Sequence, residues 1–534
     1  MVSEPKKVGR RTFLNYAIAV VATGVIVGAA TYFAVPKGVT TVTAPGATTT
    51  VTAPGATVTT TKTVTTTATQ TTMQYPRTKE ALAALRNKHL TSLKNRLLEA
   101  AKASSVDWKQ FSGQTINLSY RTGPEQAVLQ DVAKMFTDLT GIKVNIDITP
   151  ENDQITKATA DVLQETGIYD CPWLDLYRAS VYVKPKKLEP LEQYYEDPKL
   201  TDKDFMKWNG TDIYPAIWEA CNCPPWGEKG MHYFVPLYWH TQGLNFRKDL
   251  FDEYGLSLKD IDSYEDVLAT AQKLNHPEKG YYGFAGRGAV GDSMNMFSMT
   301  SIFNAYGVKI LDENYKPAFN NDSGVTALDL YVKLMTKYAP PGAVNWTFND
   351  TLSATTTGKL AMCQDVTIWC YLAWDPEFTA ADSPAFCNVW VNRIPKGPAG
   401  RFACMSGWTY AIPRGAKNKK AAWLWAEFSG SPLGVALFDA AKFPEYPRPA
   451  LWDDPDIAPL IPPANVKETK MITFEQDSHW GDLLSNWLPE GSEVMYILSQ
   501  AVSSALSGQM TPKEALAWAE PKVADIMKKY GYLK

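Results

Sequence analysis

Histidine and cysteine are scarce in this chain, which has five and seven of them among 534 residues. The odd cysteine count means that not all can pair within one chain, and for an exported protein we expect one to three disulfides of undetermined connectivity. The closest pair, Cys221 and Cys223, is a weak metal signal, because His232 lacks zinc-finger spacing and no second pair follows. The sequence therefore predicts no metal and no cofactor.

A large excess of either charge is also absent. Lys and Arg number 53 against 56 Asp and Glu, which gives a net charge of −3. Without a strong basic field, nucleic acid is not expected as a partner. The chain also lacks a Gly-x-Ser-x-Gly elbow, a His-Glu-x-x-His motif and a P-loop. We therefore predict that it is not an enzyme, with a surface glycosidase, which needs two carboxylates across a cleft, as the alternative.

Aromatic residues, by contrast, are abundant, with 17 Trp and 26 Tyr. Many such rings belong in hydrophobic cores. A surplus beside a cleft would suit a ligand with flat apolar faces, such as a sugar ring. The composition therefore favours a sugar over a small ion as ligand.

Residues 1–36 are predicted to be a signal or membrane anchor. Arg10-Arg11-Thr12-Phe13-Leu14 resembles a twin-arginine export signal, and an apolar run continues from Phe13 to Val35. About 23 residues of helix can cross a bilayer of about 30 Å. Positively charged residues beside a membrane-spanning segment stay on the cytoplasmic side. Here they precede the apolar run, so the chain that follows the run is expected outside the cell. Ala29-Ala30-Thr31 is a poor cleavage site, so we favour a retained anchor, with a cleaved signal as the alternative.

Residues 37–75 are predicted to form a threonine-rich stalk. The sequence Thr-Val-Thr-Ala-Pro-Gly-Ala-Thr occurs at 41–48 and again at 50–57. This composition cannot bury a core and is typical of extended, O-glycosylated spacers. Residues 76–113 follow as a helical spacer or cap, with leucines at 82, 85, 93 and 97 near one face.

Sequons for N-glycosylation occur at five asparagines, which an exported topology turns into candidate glycosylation sites. They are Asn117, Asn209, Asn321, Asn345 and Asn349. Asn117 lies in a predicted strand and is the weakest of them.

From residue 114 the pattern predicts a globular α/β domain. Alternating apolar residues at 116–120 and 142–148 flank an amphipathic helix, which is a strand–helix–strand unit typical of a parallel sheet. Ligands bind at the carboxyl ends of such strands. Arg121, directly after the first strand, therefore occupies a candidate functional position.

Several segments of this domain resemble, in the same order, the extracellular solute-binding proteins of ABC transporters that take up sugars and oligosaccharides (family 1). The tethered layout is similar to that of archaeal members. The matching segments are Phe136 with Thr140-Gly141-Ile142-Lys143-Val144, Val235 to Phe251, Gly358-Lys359-Leu360-Ala361-Met362, Gly407-Trp408 with Ala411-Ile412-Pro413, and Gly508 with Thr511-Pro512.

The resemblance implies a two-lobed periplasmic-binding-protein-like fold over residues 114–534, with a ligand cleft between the lobes. It places lobe 1 at about 114–235 and 398–440, and lobe 2 at about 245–395 and 441–534. Hinges are expected near 236–244 and 392–397. The loaded protein would dock on an ABC permease with ATPase subunits. A binding protein for a peptide, polyamine or other non-sugar solute remains an alternative.

Candidate ligand-binding residues lie at strand ends, hinges and loops, where planar polar groups can take paired hydroxyls and aromatic faces can stack on a sugar. Several have a structural alternative: Asp175 could cap a helix, Arg121 and Arg287 could form surface ion pairs, and Trp239 and Trp408 could be core residues. The candidates are Arg121, Asp175 and Tyr177 at lobe 1 strand ends, Trp239 on the first crossover, Arg287 in a glycine-flanked loop, Trp346 between two sequons, Asp365 and Trp369 after the Gly-Lys-Leu-Ala-Met segment, and Trp408 after a glycine.

Overall fold

The computed structural model describes residues 48–53, 56–61 and 75–534, the last range with gaps at 124–125, 292, 443–444, 480 and 482. The chain divides into two units, residues 1–74 and 75–534. In the first unit, β1 (Thr48–Ala53) and β2 (Ala56–Thr61) pair as an antiparallel hairpin within the predicted stalk. The predicted anchor at 1–36 lies outside the described residues. Within the described part, no helix is both long and apolar enough to cross a bilayer.

A 25-residue helix, α1 (Lys79–Ala103), opens the second unit. It begins at Thr78, whose hydroxyl accepts a hydrogen bond from the first turn. Its leucines at 82, 93 and 97 are buried in the domain core. On the same helix, Arg86 donates to Asp375 at 2.6 Å in an ion pair whose side chains are 7% and 0% exposed. The helix is therefore built into the domain as a cap.

A two-stranded sheet comes first after this helix, formed by β3 (Thr115–Arg121) and β4 (Lys143–Thr149), with α2 (Gln126–Thr140) between them in sequence. The two strands are parallel, and Arg121 stands opposite Thr149 at their carboxyl ends. This is the predicted strand–helix–strand unit, and the α/β prediction is confirmed.

One long strand, β6 (Val235–Arg247), connects two groups of strands. Its first half, 235–241, pairs with β9 (Met405–Tyr410), which in turn pairs with β5 (Trp173–Asp175). Its second half, 242–247, pairs with β7 (Met362–Val366) and β8 (Val389–Asn392). The predicted first hinge, 236–244, thus falls where this strand changes partners.

Two hydrophobic cores lie on either side of this crossing, and we call the parts of the chain around them lobe 1 and lobe 2. The helices of lobe 1 are α1, α2, α3 (Glu151–Gln164), α4 (Ala179–Val183), α5 (Glu192–Tyr195), α6 (Lys203–Met206), α7 (Pro215–Asn222), α14 (Lys419–Gly430), α15 (Pro432–Lys442) and α16 (Val466–Ile472). Those of lobe 2 are α8 (Lys248–Glu253), α9 (Tyr264–Lys273), α10 (Asn295–Ala305), α11 (Asp322–Lys337), α12 (Phe348–Thr356), α17 (Leu484–Trp487), α18 (Gly491–Leu506) and α19 (Pro512–Lys529). Helix α13 (Ile368–Ala373) contributes to both cores.

The two-lobed architecture is confirmed, but the lobe boundaries differ from the predicted ranges. Residues 446–474, expected in lobe 2, contribute Tyr446, Trp452 and Phe474 to the lobe 1 core. The C-terminal helices α18 and α19 do belong to lobe 2. An apolar pattern indicates that a segment has a buried face, but it does not indicate which of two cores covers that face.

All seven cysteines are buried and none forms a disulfide, so the expectation of disulfides is wrong. They pack as small apolar side chains, two in the lobe 2 core and five in the lobe 1 core. Burial raises the pKa of thiols such as Cys171 and Cys387. Residues 75–534, apart from their gaps, contain no cluster of side chains suited to a metal ion.

A buried carboxyl group on α14 makes the stability of lobe 1 depend on pH. Glu427 has no exposed surface and accepts a hydrogen bond from the backbone N–H of Asp202 at 2.9 Å. Burial is the main cause that raises the pKa of Glu427 to about 9. The group is therefore neutral in the folded protein at neutral pH, whereas the unfolded chain releases its proton above its ordinary pKa.

Replacing Glu427 by Gln should remove this pH dependence. The folded protein keeps this proton up to about pH 9, whereas the unfolded chain loses it near pH 4.5. The stability that the neutral group contributes is therefore fully present below pH 4.5 and is lost as pH rises towards 9, at up to about 1.4 kcal/mol per pH unit. In urea titrations, the free energy of unfolding of E427Q should equal that of the parent near pH 4.5. It should exceed the parent's value by a growing amount as the pH rises to 9. The matched change at exposed Glu313, E313Q, should not diverge from the parent. A constant difference for E427Q at every pH would contradict this assignment.

Candidate functional site

The candidate site lies where the carboxyl ends of lobe 1 strands meet the crossing of β6. Asp175, the last residue of β5, stands opposite Trp408 on β9, and Trp408 stands opposite Tyr238 on β6. Directly opposed residues share one face of a sheet. The next pair on that face is His240 with Ser406. The ladder thus lines up Asp175, Trp408, Tyr238 and His240 towards lobe 2.

An aromatic stack with an arginine beside it forms the lobe 1 side. Trp173 and Trp408 lie face to face, with ring centroids 3.6 Å apart and planes 4° from parallel. The Arg121 guanidinium lies 5.2 Å from the Trp173 ring and 5.9 Å from the Trp408 ring. It donates to the Tyr238 hydroxyl at 2.9 Å. Cation–π contact and hydrogen bond together hold this arginine at the end of β3.

The chain that follows β5 reaches from lobe 1 to lobe 2. Asp175 is 2% exposed and accepts a hydrogen bond from Arg178 at 2.9 Å. Tyr177 is half-buried and packs against the lobe 2 core. It is also close enough to Arg287 of lobe 2 to contribute to the pKa of that guanidinium. Tyr177 therefore faces the lobe 2 part of the site.

A buried ion pair dominates the lobe 2 side. Arg287 donates to both carboxylate oxygens of Asp365, with Nη2–Oδ1 at 2.5 Å and Nε–Oδ2 at 3.0 Å. Asp365 also accepts from the Thr351 hydroxyl at 2.6 Å and from the backbone N–H of Val366 at 2.7 Å. Burial by itself would lower the pKa of Arg287, but Asp365 more than offsets it and the pKa is raised. The Arg287 guanidinium therefore stays charged inside the protein.

Aromatic rings surround this pair. The Arg287 guanidinium lies 4.5 Å from the Phe297 ring and 5.4 Å from the Phe348 ring. Phe348 in turn contacts Trp369 at 5.0 Å between centroids. Phe348 is 39% exposed, whereas Trp369 is 2% exposed. Lobe 2 thus presents one open aromatic ring beside its fixed charges.

His240, on the crossing strand, is held by a buried acid. Its Nδ1 contacts Glu445, which also accepts from the Lys470 ammonium at 2.5 Å. Burial alone would raise the pKa of Glu445, but His240 and Lys470 more than offset it and the pKa is lowered. An ionised carboxylate only accepts hydrogen bonds, so we expect Nδ1 rather than Nε2 to carry the proton of the neutral ring. The Nε2 atom has no hydrogen-bond partner among the described residues, and the imidazole is 29% exposed.

The profile of the bacterial extracellular solute-binding proteins matches residues 121–435 of this chain. The chain belongs to that family.

Similar proteins of known ligand are among its relatives. The mannitol-binding protein of Pseudomonas aeruginosa is 26% identical over 79% of this chain and 95% of its own length. The solute-binding protein of Agrobacterium radiobacter, solved with ribitol, superimposes with a TM-score of 0.65 at 26% identity over 78% of this chain and 99% of that one. The one from Agrobacterium vitis, solved with D-mannitol, gives 0.64 at 26% identity over 79% and 100%. The periplasmic-binding-protein-like fold expected from the sequence is thereby confirmed.

Most of the candidate residues of this solute-binding protein come together around the crossing. They are Arg121, Asp175, Tyr177 and Trp408 from lobe 1, and Arg287, Asp365 and Trp369 from lobe 2. Trp346 is half-buried beside this group, where its carbonyl accepts from the N–H groups of Gly288 and Ala289, both at 2.9 Å. Trp346 therefore supports the loop that carries Arg287.

Trp239 is placed differently from the other candidates. It has no exposed surface, and its ring lies over Gly407, where a Cβ would come within 2.3 Å of it. Side chains alternate along a strand, so Trp239 points away from the face that carries Tyr238 and His240. In this structure Trp239 is a core residue of lobe 1.

Three rings that stand at the candidate site are not among the sequence candidates: Trp173, Tyr238 and Phe348. His240 is a lone histidine beside the crossover, and such a residue carries little weight from sequence alone. Side chains alternate along a strand, so a prediction that places Trp239 in the cleft excludes its neighbours Tyr238 and His240. This alternation is the signal in the sequence that could have identified them. His240 directly follows Trp239 on this strand. The partner that orients it, Glu445, is about 200 residues away in sequence, and no pattern along β6 points to it.

The tautomer of His240 can be measured directly. In the neutral ring we expect protonated Nδ1 and unprotonated Nε2, because Glu445 can only accept. Nitrogen-15 NMR of the histidine-labelled protein near pH 8.5 should show this pattern for the one ring signal that H240Q removes. A His240 signal with the proton on Nε2 would contradict the proposed orientation.

Proposed function

We propose that this protein is the extracytoplasmic binding component of an ABC importer and that it captures a carbohydrate, specifically an acyclic sugar alcohol, between its lobes. The observation that carries the proposal is the convergence of fixed polar groups from both lobes at the β6 crossing. Arg287 and Asp365 stand on lobe 2, with Tyr177 and His240 on lobe 1.

These groups match the chemistry of a chain of hydroxyls. Each hydroxyl both donates and accepts, so it is best bound between a fixed donor and a fixed acceptor. A guanidinium offers donors in a rigid fork, and an imidazole with a protonated Nδ1 offers an acceptor at Nε2. Because the charges are already paired inside the protein, they need little rearrangement when a neutral ligand binds.

The aromatic rings favour an acyclic ligand over a sugar ring. Stacking on a pyranose needs an open aromatic face. The Trp408 face is covered by Trp173 at 3.6 Å, and Trp369 is 2% exposed. Phe348 alone among the rings of the site has a large exposed fraction. The related mannitol- and ribitol-binding proteins support the same reading.

Binding would act through closure of the lobes. A ligand that touches groups on both lobes binds the closed form more tightly than the open form and so shifts the population towards it. The closed form would then be the one that docks on a permease with ATPase subunits. No chemical conversion of the ligand is expected.

Calorimetry of the full-length protein tests the ligand class. D-mannitol and ribitol should bind and raise the melting temperature, whereas maltose and free amino acids should not. His240→Gln should weaken polyol binding about five- to tenfold, as expected for the loss of one hydrogen bond. His276→Gln is the matched control, because His276 pairs with Glu278 away from the crossing.

The outcomes separate the parts of the proposal. Stabilisation by maltose but not by polyols would contradict the acyclic ligand. No response to any sugar or polyol would contradict the carbohydrate class, and turnover of a glycan would contradict the binding role.

We also infer that residues 1–36 keep the protein at the outer face of the membrane and that the stalk at 37–75 spaces it from its permease. This inference is supported by the basic, then apolar, order of the N-terminal sequence. The sequons would be glycosylated only where the asparagine is exposed, as at Asn321, Asn345 and Asn349.

The mass of the mature N-terminus tests the anchor. Peptides from the membrane fraction should include residues up to Val35. A mature chain that begins after Ala30 and is recovered free in the medium would show a cleaved signal instead.

A further inference from the structure

A second contact between the lobes extends beyond the group of residues assigned to the ligand. The short helix α17 of lobe 2 packs on α4 and on the turn at Leu176–Arg178 of lobe 1. At its end, the Trp487 carbonyl accepts a hydrogen bond from the indole N–H of Trp226, a lobe 1 residue. The lobes therefore touch at a place that the ligand groups do not occupy.

The C-terminal residues extend this contact. Lys184, which ends α4 in lobe 1, donates to the Tyr532 hydroxyl at 2.5 Å, and its ammonium lies 4.8 Å from the centre of that ring. The same ammonium lies 4.3 Å from the Trp226 ring. Tyr532 packs against the lobe 2 core just beyond α19. One lysine is thus held between an aromatic ring of each lobe.

An acid of lobe 2 completes the arrangement. The Tyr532 hydroxyl donates to Glu490 at 2.7 Å, and Glu490 lies 4.0 Å from the Lys184 ammonium with its side chain 15% exposed. Burial, and then Glu490, raise the pKa of Tyr532. The hydroxyl therefore stays protonated and can accept from lysine while it donates to glutamate. Lysine, tyrosine and glutamate form one hydrogen-bonded chain from lobe 1 to lobe 2.

We propose that Lys184, Trp226, Glu490 and Tyr532 form an interlobe latch that stabilises the closed arrangement of the lobes without touching the ligand. The contacts of Lys184 with Tyr532 and Glu490, and the hydrogen bond from Trp226 to the Trp487 carbonyl, join the two lobes and would be lost when the lobes separate. The contacts of Lys184 with Trp226 and of Tyr532 with Glu490 lie within one lobe and orient the groups that cross. The latch should therefore raise the closed population in the absence of ligand. Its effect on ligand affinity rests on the proposed function, whereas its effect on the lobes does not.

Tyr532→Phe removes the hydroxyl and keeps the ring, and Lys184→Met removes the charge and keeps the stem. Tyr530→Phe is the matched control, because the Tyr530 hydroxyl is bound to Lys529 and Glu493, both in lobe 2. Spin labels at Lys134→Cys on α2 and Lys333→Cys on α11 report the distance between lobes. Both positions are exposed, and the native cysteines are buried.

In the ligand-free full-length protein, Y532F and K184M should each increase the long-distance population severalfold, while Y530F should match the parent. The double variant should add little to either single one, because both break the same chain. Unchanged distance distributions in Y532F and K184M, or an equal change in Y530F, would overturn the latch.

Ligand binding gives the second readout. The apparent dissociation constant for D-mannitol should rise by the same factor as the closed population falls, about three- to tenfold in Y532F, since only that fraction is competent to close on ligand. If the spin-label distances change in Y532F and K184M but the parent protein binds no polyol, the proposed function is wrong and the latch is still supported. If polyol binds equally well to Y532F despite a changed distance distribution, the coupling of latch to affinity is wrong.

Discussion

The hydrogen bonding of a single strand to two sets of partners governs this structure. β6 contributes one half of its length to the strands of lobe 1 and the other half to those of lobe 2. Gly243 lies just past the change of partners, where a Cβ would come within 2.7 Å of Thr367 and 2.9 Å of the Asn392 carbonyl. Close approach of three strands at this glycine fixes where the lobes meet, and with it the position of every site residue nearby.

Buried charge is the second constraint. Arg287 with Asp365, and Lys470 with Glu445, lie almost or fully inside the protein. Buried ion pairs seldom stabilise a fold more than apolar packing would, because desolvation offsets much of their attraction. Their value here is geometric, since each pair fixes a group that faces the crossing: Asp365 orients Arg287, and Glu445 orients His240. The apolar rings around them exclude water and keep these orientations.

The sequence was most informative where a pattern is local. The βαβ unit at 114–148 and the helix at 78–103 follow from periodicity, and the ordered segments from Thr140-Gly141 to Thr511-Pro512 indicated the family. It was least informative where an outcome depends on distant neighbours. Seven cysteines in an exported chain favoured disulfides, yet all seven are buried in the cores and none forms a disulfide. Trp239 and His240 are adjacent in sequence, and only the strand pairing decides which of them faces the crossing.

By itself, the sequence determined the class of fold and the positions of Arg121 and Asp175 at the ends of strands. These follow from short-range rules: side-chain period, turn residues and motif spacing. Only the tertiary structure decided that Arg287 and Asp365 form one buried pair, that Glu445 orients His240, and that residues 446–474 complete lobe 1. Those contacts join segments that are between 78 residues apart, for Arg287 with Asp365, and 385 residues apart, for Tyr75 with Leu460. The free energy that selects them comes from packing and desolvation in three dimensions.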